Sequence, residues 1–294
     1  MAVRAPWRWW LAGLGLWAGT CAVAASAAPF LWAVQGQGAR DYLLGSIHML
    51  PPQAHPLPPA LEQAYAQAET VVFETDLDAV GRPDAQQALM TAAREAPDGL
   101  RGQIDAVLYA QLQRRLERLG LPQHHCDVYQ AWFCALSLEM AGYQRAGFSP
   151  QLGIDQHYFE AARRDGKRID WLETPSEQLG LFAQMPPVLG AAFLASALDD
   201  GASQSPQRMM DAWRAHDLTF LEDEVEAMRR DHPRAYARLL ADRNRAWQGL
   251  LRRHLSDARP TLIIVGAAHL VGADGLIGQL RRNGYRVEPV GRLP

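Results

Sequence analysis

The chain has 294 residues, of which 48% are hydrophobic and 21% charged, and its formal net charge is −3. These values are typical of an ordinary globular protein that can bury a large core, in one domain or in two closely packed halves. The chain contains no basic tract, so we expect no nucleic acid as a partner.

The first 28 residues have the pattern of an export signal. Arg4 and Arg8 precede an apolar stretch that ends near Ala24, and the small-residue sequence 25–27 follows at once. This pattern predicts a signal peptide at 1–28 and a periplasmic or secreted protein, with no transmembrane domain in the mature chain. An uncleaved membrane anchor stays open as the alternative, although the apolar run is shorter than the ~20 residues that span a bilayer.

The next part of the chain is rich in predicted strands. Apolar runs alternate with turn signals, and a proline-rich loop separates two of the runs. The loop cannot form a helix or a central strand because proline lacks a backbone N–H group. The predicted elements are, in order, strands at 29–35 and 41–44, a helix at 60–68 and a strand at 70–74.

The middle of the chain reads as mostly helical, since its apolar residues recur at helical spacing. One short strand interrupts it, and two strands and a helix close the chain. We therefore predict one domain over 29–294 of the α/β (α+β) class, whose central sheet is built from both ends of the chain. The predicted helices are 85–95, 104–119, 131–146, 153–165, one that starts at 174–177, 186–198, 206–215, 219–229, 233–255 and 275–283; the predicted strands are 167–173, 261–265 and 285–290.

Two cysteines, Cys126 and Cys134, remain after the signal peptide. An oxidising compartment permits a disulfide between them. Their Cα atoms would lie about 12 Å apart if both belonged to one helix, which is too far for a bridge. A bridge therefore requires Cys126 to lie in the loop before the helix, and the sequence leaves this open.

One motif occurs near both ends of the chain. Gly45-Ser46-Ile47-His48 and Gly266-Ala267-Ala268-His269 each follow an apolar strand, and Glu74 follows another. The glycines suit either a turn with positive φ or a close approach of the backbone to a ligand. Ligands of open α/β sheets bind beyond the carboxyl ends of the strands. Imidazole and carboxylate ligands are typical of open catalytic metal sites, so we predict a metal bound by His48, Glu74 and His269. Glu74 could instead act as a general base.

These motifs, with several others in the same order, resemble the TraB/GumN family, which includes the Tiki metalloproteases. The resemblance covers about 31–290 and is greatest to the bacterial GumN-like branch. The segments that carry it are Leu31-Trp32, Tyr42 to His48, the Leu57-Pro58 loop, Val71 to Glu74 with Asp76, Gly153 to Asp155, Leu172 to Thr174 with Gln178, Asp242-Arg243-Asn244 and Gly266 to Gly272.

The resemblance implies a fold similar to the erythromycin-esterase/ChaN group and a metal-dependent protease activity. It implies manganese or cobalt at the predicted site, and the chemistry of the ligands also allows zinc. Arg243 would stabilise an oxyanion and Asn244 would orient it; a salt bridge and a cap on a helix surface are the alternative. Asp155 would hold a histidine or Arg243, or else would cap a helix, and the same two roles are open to Glu173.

Two functions therefore remain open from the sequence. The first is an exported metal-dependent hydrolase, a peptidase that acts on a peptide or protein through a metal-activated water. The second is a non-catalytic binding protein that sequesters a peptide or a haem-like ligand in the same cleft. Membership of a family does not by itself establish catalysis.

Overall fold

A mixed sheet of six strands organises the residues that the computed structural model describes, which are 30–36, 40–94, 99–199 and 206–291. The predicted signal peptide lies outside these residues. The sheet confirms the predicted α/β (α+β) class, and all six strands lie where the apolar runs placed them. They are β1 (Leu31–Gln35), β2 (Arg40–Ser46), β3 (Thr70–Phe73), β4 (Arg168–Trp171), β5 (Thr261–Gly266) and β6 (Arg286–Pro289).

The order of the strands brings four parallel strands together. The sheet order is β4-β3-β5-β2-β1-β6. β5 lies between β3 and β2 and is parallel to both, and β4 is parallel to β3. β1 pairs antiparallel with β2 and with β6. The carboxyl ends of β2, β3, β4 and β5 therefore meet at one edge, which is where ligands bind in open α/β sheets.

Helices cover the sheet, and loops and short 3-10 turns connect them. Several begin at the expected signals, such as Thr174, whose side chain accepts from the Glu177 N–H in a capping box. The five-residue helix α2, capped by Asp76, has no predicted counterpart. The helices are α1 (Pro59–Gln67), α2 (Leu77–Gly81), α3 (Pro83–Arg94), α4 (Ala106–Leu119), α5 (Ala131–Arg145), α6 (Ile154–Arg164), α7 (Pro175–Ala183), α8 (Pro187–Leu198), α9 (Pro206–Ala215), α10 (Leu218–Asp231), α11 (Pro233–Tyr236), α12 (Asp242–Ala246), α13 (Gln248–Leu255) and α14 (Leu276–Arg282).

The predicted helix at 233–255 contains a change of helical type. α11 passes into a π-helical turn at Ala237–Ala241, which continues into α12 and then, after Trp247, into α13. The Asp242 N–H donates to the Ala237 carbonyl, five residues back. Single π-helical turns within α-helices are frequent at functional sites. This turn ends two residues before Arg243 and three residues before Asn244.

The bridge between Cys126 and Cys134 forms in the structure. Their Cα atoms are 5.4 Å apart. Cys126 lies in the loop before α5 and Cys134 in the first turns of that helix, which is the arrangement that the spacing requires. Both residues are buried in a hydrophobic cluster with side chains from α4 and α8.

No single helix of the described residues is long and apolar enough to cross a membrane; α7 and α8 pass that test only together, as a pair bent by 90°.

A buried carboxyl group joins β2 to β5. Asp41 is fully buried, and its Oδ1 accepts a hydrogen bond of 2.9 Å from the Thr261 N–H. Its Oδ2 has no hydrogen-bond partner among the described residues. Burial opposes ionisation and, together with nearby Asp257, outweighs the Thr261 hydrogen bond, so that the pKa of Asp41 rises from 3.8 to about 7.

Asp41→Asn tests this burial. Between about pH 4 and pH 7 the folded chain holds a proton on Asp41 that the unfolded chain has lost, so the wild-type free energy of unfolding should fall as the pH rises. Asparagine keeps an acceptor for Thr261 but does not titrate. Relative to this variant, we expect the wild type to lose on the order of 2–4 kcal/mol between pH 4 and pH 8 in urea titrations. Parallel curves for the two proteins would contradict the assignment.

Candidate active site

Four side chains follow the ends of the four parallel strands. His48 comes two residues after β2, Glu74 directly after β3, Glu173 two residues after β4 and His269 three residues after β5. Arg243, from α12, contacts three of them. The two histidines of the repeated motif and Glu74 therefore meet at one edge of the sheet, as the sequence predicts.

The imidazole of His48 is oriented by Asp155. Its Nδ1 lies 2.8 Å from Asp155 Oδ2. A carboxylate accepts the proton of Nδ1, which leaves Nε2 as the nitrogen that faces the site. The charge and the hydrogen bond of Asp155 raise the pKa of His48 to about 9, so the free imidazole is protonated at neutral pH and a metal bound at Nε2 would displace that proton. The N-cap of α6 is Gly153, so Asp155 holds a histidine and is not a helix cap.

A close backbone approach places Asp155 within reach of His48. A Cβ atom at Gly153 would lie 2.2 Å from the His48 carbonyl oxygen. The Ile154 N–H donates to the Ile47 carbonyl at 3.0 Å. The first turn of α6 can therefore lie against the loop after β2 only because residue 153 has no side chain.

The imidazole of His269 is oriented by Asn244. The Asn244 amide group donates to the carbonyls of His269 and Asp274, at 3.0 and 2.8 Å. Its Oδ1 must therefore be the acceptor in the 2.6 Å contact with His269 Nδ1, which again leaves Nε2 without a proton. Burial, with the nearby Arg243 charge, outweighs Glu74 and lowers the pKa of His269 to about 3. His269 is therefore a neutral imidazole at physiological pH.

The carboxylate of Glu74 lies between these groups. Its Oε1 accepts from the Gly266 N–H at 2.7 Å and lies 3.7 Å from His269 Nε2. Its Oε2 accepts from Arg243 Nη2 at 2.6 Å. Burial acts against ionisation, but the two imidazoles, Arg243 and the Gly266 N–H outweigh it and lower the pKa of Glu74 to about 2. Glu74 is therefore ionised.

Gly266 forms the floor beneath the three groups. A Cβ atom there would lie 3.2 Å from Glu74 Oε1, 3.3 Å from His48 Nε2 and 3.7 Å from His269 Cδ2. The φ of Gly266 is −51°, so its role is close approach and not a left-handed turn. The glycine of the other motif, Gly45, is similar, because a Cβ there would lie 2.9 Å from Leu270 Cδ1.

The guanidinium of Arg243 is held on several sides. Glu173 binds it through both carboxylate oxygens, at 2.7 Å from Nη2 and 3.0 Å from Nε. Nη1 donates to the carbonyl of Leu239, in the π-helical turn, and lies 2.9 Å from His269 Nε2. The Trp247 ring lies beneath the guanidinium, 4.7 Å from Cζ. The side chain of Arg243 is only 12% exposed and Asn244 is buried, which excludes the alternative of a salt bridge and cap on a helix surface.

The chemistry of these side chains suits a divalent metal. The imidazoles of two histidines and one ionised carboxylate surround the cradle above Gly266. Across the described parts of the chain, however, no group of three or more His, Cys, Asp or Glu residues stands in an arrangement that could hold a metal ion. The lone pair of His269 Nε2 lies at hydrogen-bond distance from Arg243. A metal at His48, Glu74 and His269 therefore stays a prediction.

One residue of this site, Trp247, is absent from the predicted residues. Its indole N–H donates to Glu173 at 3.2 Å, and its ring packs on His269 with ring centroids 4.6 Å apart. Its position one helical turn after Arg243 is the signal that points to it. Of the two roles open to Glu173, the structure shows the contact with Arg243, since the N-cap of α7 is Thr174.

A cleft of about 890 Å³ opens beside the site. His48, Glu74, Asp155 and Arg243 line one part of it, while His269 and Asn244 lie buried beneath. The rest of its lining is mostly apolar. Such a cleft is large enough for a small molecule or for several residues of a peptide.

Comparison with known proteins identifies relatives over most of the chain. The sequence model of the TraB/PrgY/gumN family matches residues 30–289. The chain is 26% identical to the uncharacterized protein YbaP of Escherichia coli (strain K12) over 250 residues, which cover 82% of this chain and 87% of that protein. It is also 26% identical to YbaP of Shigella flexneri over 251 residues, 82% of this chain and 88% of the relative. No solved structure matches.

Asn244→Ala tests the role of the amide in the site. The change removes one acceptor and two donors, and leaves the His269 Nδ1–H and two carbonyls without these partners. Buried unsatisfied groups cost about 1–3 kcal/mol each, and neighbouring losses are not additive, so we expect a loss of about 2–4 kcal/mol in the free energy of unfolding. Arg245→Ala, at the exposed next residue, is the matched control and should change the free energy of unfolding by no more than about 0.5–1 kcal/mol. Equal effects of the two changes in denaturant titrations would contradict the assignment.

Proposed function

This chain belongs to the TraB/PrgY/gumN family, and we propose that it is an exported metal-dependent hydrolase that cleaves peptides. In this proposal His48, Glu74 and His269 hold a divalent ion, which is manganese, cobalt or zinc. When bound, such an ion lowers the pKa of a water molecule and polarises a carbonyl group.

The orientation of the two histidines carries this proposal. Each directs Nδ1 to an acceptor side chain, Asp155 or Asn244, so that each Nε2 is left for another partner. Histidines that bind metals in proteins almost always donate the proton of their other nitrogen in this way. The two rings lie with Glu74 around Gly266, which has no side chain to fill the space.

The charges of the site also favour a divalent cation. Glu74, Glu173 and Asp155 bring three carboxylates, whereas Arg243 is their only permanently cationic partner in the contacts described above. When both imidazoles are neutral, as they must be to bind a metal, these groups carry two negative charges in excess. Buried charges are costly unless they are compensated, and one divalent ion would balance them.

The remaining side chains have positioning roles in this proposal. If a metal takes the lone pair of His269 Nε2, the Arg243 Nη1–H that now contacts this nitrogen becomes free to donate to the oxygen of a substrate carbonyl, while Glu173 and Leu239 hold the guanidinium in place. Asp155 and Asn244 fix the imidazole tautomers.

A binding protein for a peptide or a haem-like ligand is the second candidate. The observation that favours it is the mostly apolar cleft of about 890 Å³, since such a cleft can hold a ligand without any reaction. The ion-pair network at its end would then serve only to orient the ligand.

Metal restoration tests the hydrolase proposal. We expect metal-free protein to be inactive on a peptide library and to regain cleavage with manganese, cobalt or zinc. His48→Ala and His269→Ala should each lower kcat/KM by more than about 100-fold, and Asp155→Asn by about 10–100-fold, because the last change affects only the orientation of a ligand. His124→Ala, at an exposed histidine outside the site, is the control. No cleavage by the wild type, or full activity in either histidine variant of the site, would refute the proposal.

Export is tested separately. Expression of the full chain in a Gram-negative host should yield protein in the periplasmic fraction or the medium, with an amino terminus within a residue or two of Ala28. Recovery of the chain in the cytoplasm with Met1 or Ala2 at its amino terminus would show that no export occurs.

A further inference from the structure

The cleft extends away from the reactive groups along an apolar wall. This wall is formed by side chains of α2, α3, α5 and α7, and Trp171, the last residue of β4, also lines the cleft. We define the apolar wall by its larger side chains, which are Leu77, Val80, Leu89, Leu136, Leu179 and Phe182.

The apolar wall remains partly exposed to solvent. All six of its side chains are intermediate in burial, and Trp171 is 37% exposed. Large exposed apolar side chains are few in the described chain, and Trp171 is the one of them that lines this cleft. Partly exposed apolar side chains gathered in a concave surface beside reactive groups are typical of ligand sites.

Polar groups run along the same cleft. Thr174, Ser176 and Gln178, at the start of α7, line it with the apolar wall. The side chains of Ser176 and Gln178 can exchange hydrogen bonds with a peptide backbone, whereas an acyl chain has no groups to pair with them. The Thr174 hydroxyl is already bound to Glu177 in the capping box. Apart from the groups of the site itself, the charged side chains that line the cleft are Asp76, Arg82 and Asp84, so no large charge of one sign lies along the apolar wall.

We propose that the substrate is a peptide with bulky apolar side chains beside the bond that is cut, and that these side chains bind against the apolar wall. This inference rests on the proposed function, since it names the substrate of the same site. The backbone of the peptide lies along Ser176 and Gln178, and its scissile carbonyl reaches Arg243. Burial of one leucine or phenylalanine side chain supplies more free energy than a tenfold change in Kd requires.

Ala88 offers a variant that fills the cleft without disturbing the core. It lies on α3, is exposed to solvent and lines the cleft. Ala88→Trp therefore places a large ring in the binding space. The adjacent Gln87 is exposed on the same helix and does not line the cleft, so Gln87→Trp is the matched control.

The experiment compares the binding of two fluorescein-labelled octapeptides that differ only in a central Leu-Phe or Ser-Gln pair. Fluorescence anisotropy with the mature protein should show a Kd about tenfold or more lower for the Leu-Phe peptide. Ala88→Trp should raise that Kd by about tenfold or more, and Gln87→Trp should leave it unchanged. Equal affinities for the two peptides, or wild-type binding by Ala88→Trp, would overturn the proposal.

Two competitors and a cleavage assay separate the remaining explanations. Laurate or haemin that binds more tightly than the Leu-Phe peptide and displaces it would reassign the cleft and overturn the proposal. Selective binding without cleavage in the presence of metal would support the apolar cleft and refute the hydrolase. Cleavage of both peptides with equal kcat/KM would support the hydrolase and overturn the substrate preference.

Discussion

The guanidinium of Arg243 connects three strand ends. It binds Glu74 after β3 and Glu173 after β4, and it contacts His269 after β5. A buried charge is tolerated only when it is paired and its hydrogen bonds are satisfied. The two carboxylates and the guanidinium therefore depend on one another, and the edge of the sheet keeps its shape only while all three are in place.

Two glycines allow the side chains of the site to come together. Gly153 lets α6 approach the backbone of His48, and Gly266 leaves room for two imidazoles and a carboxylate. The π-helical turn at Ala237–Ala241 precedes Arg243, and its Leu239 carbonyl accepts from the guanidinium. The site is thus built from close backbone approaches, with the reactive side chains around them.

The sequence predicts the strands and two of the site's histidines because these depend on local patterns. Apolar runs mark the strands, and the repeated Gly-x-x-His motif marks the ends of β2 and β5. The partners of the site residues depend on distant contacts instead. Asp155 is 107 residues from His48, and Glu173 is 70 residues from Arg243. No pattern in the chain distinguishes such contacts from a helix cap, and helical periodicity does not show a π-helical turn.

Anomalous diffraction from crystals grown with manganese, cobalt or zinc tests the central claim most directly. The claim is that His48, Glu74 and His269 form one metal site. It predicts an anomalous peak within about 2.0–2.2 Å of Nε2 of both histidines and of a Glu74 oxygen. The claim is contradicted if a saturating concentration of each ion gives no peak at this position and Arg243 Nη1 remains bound to His269 Nε2.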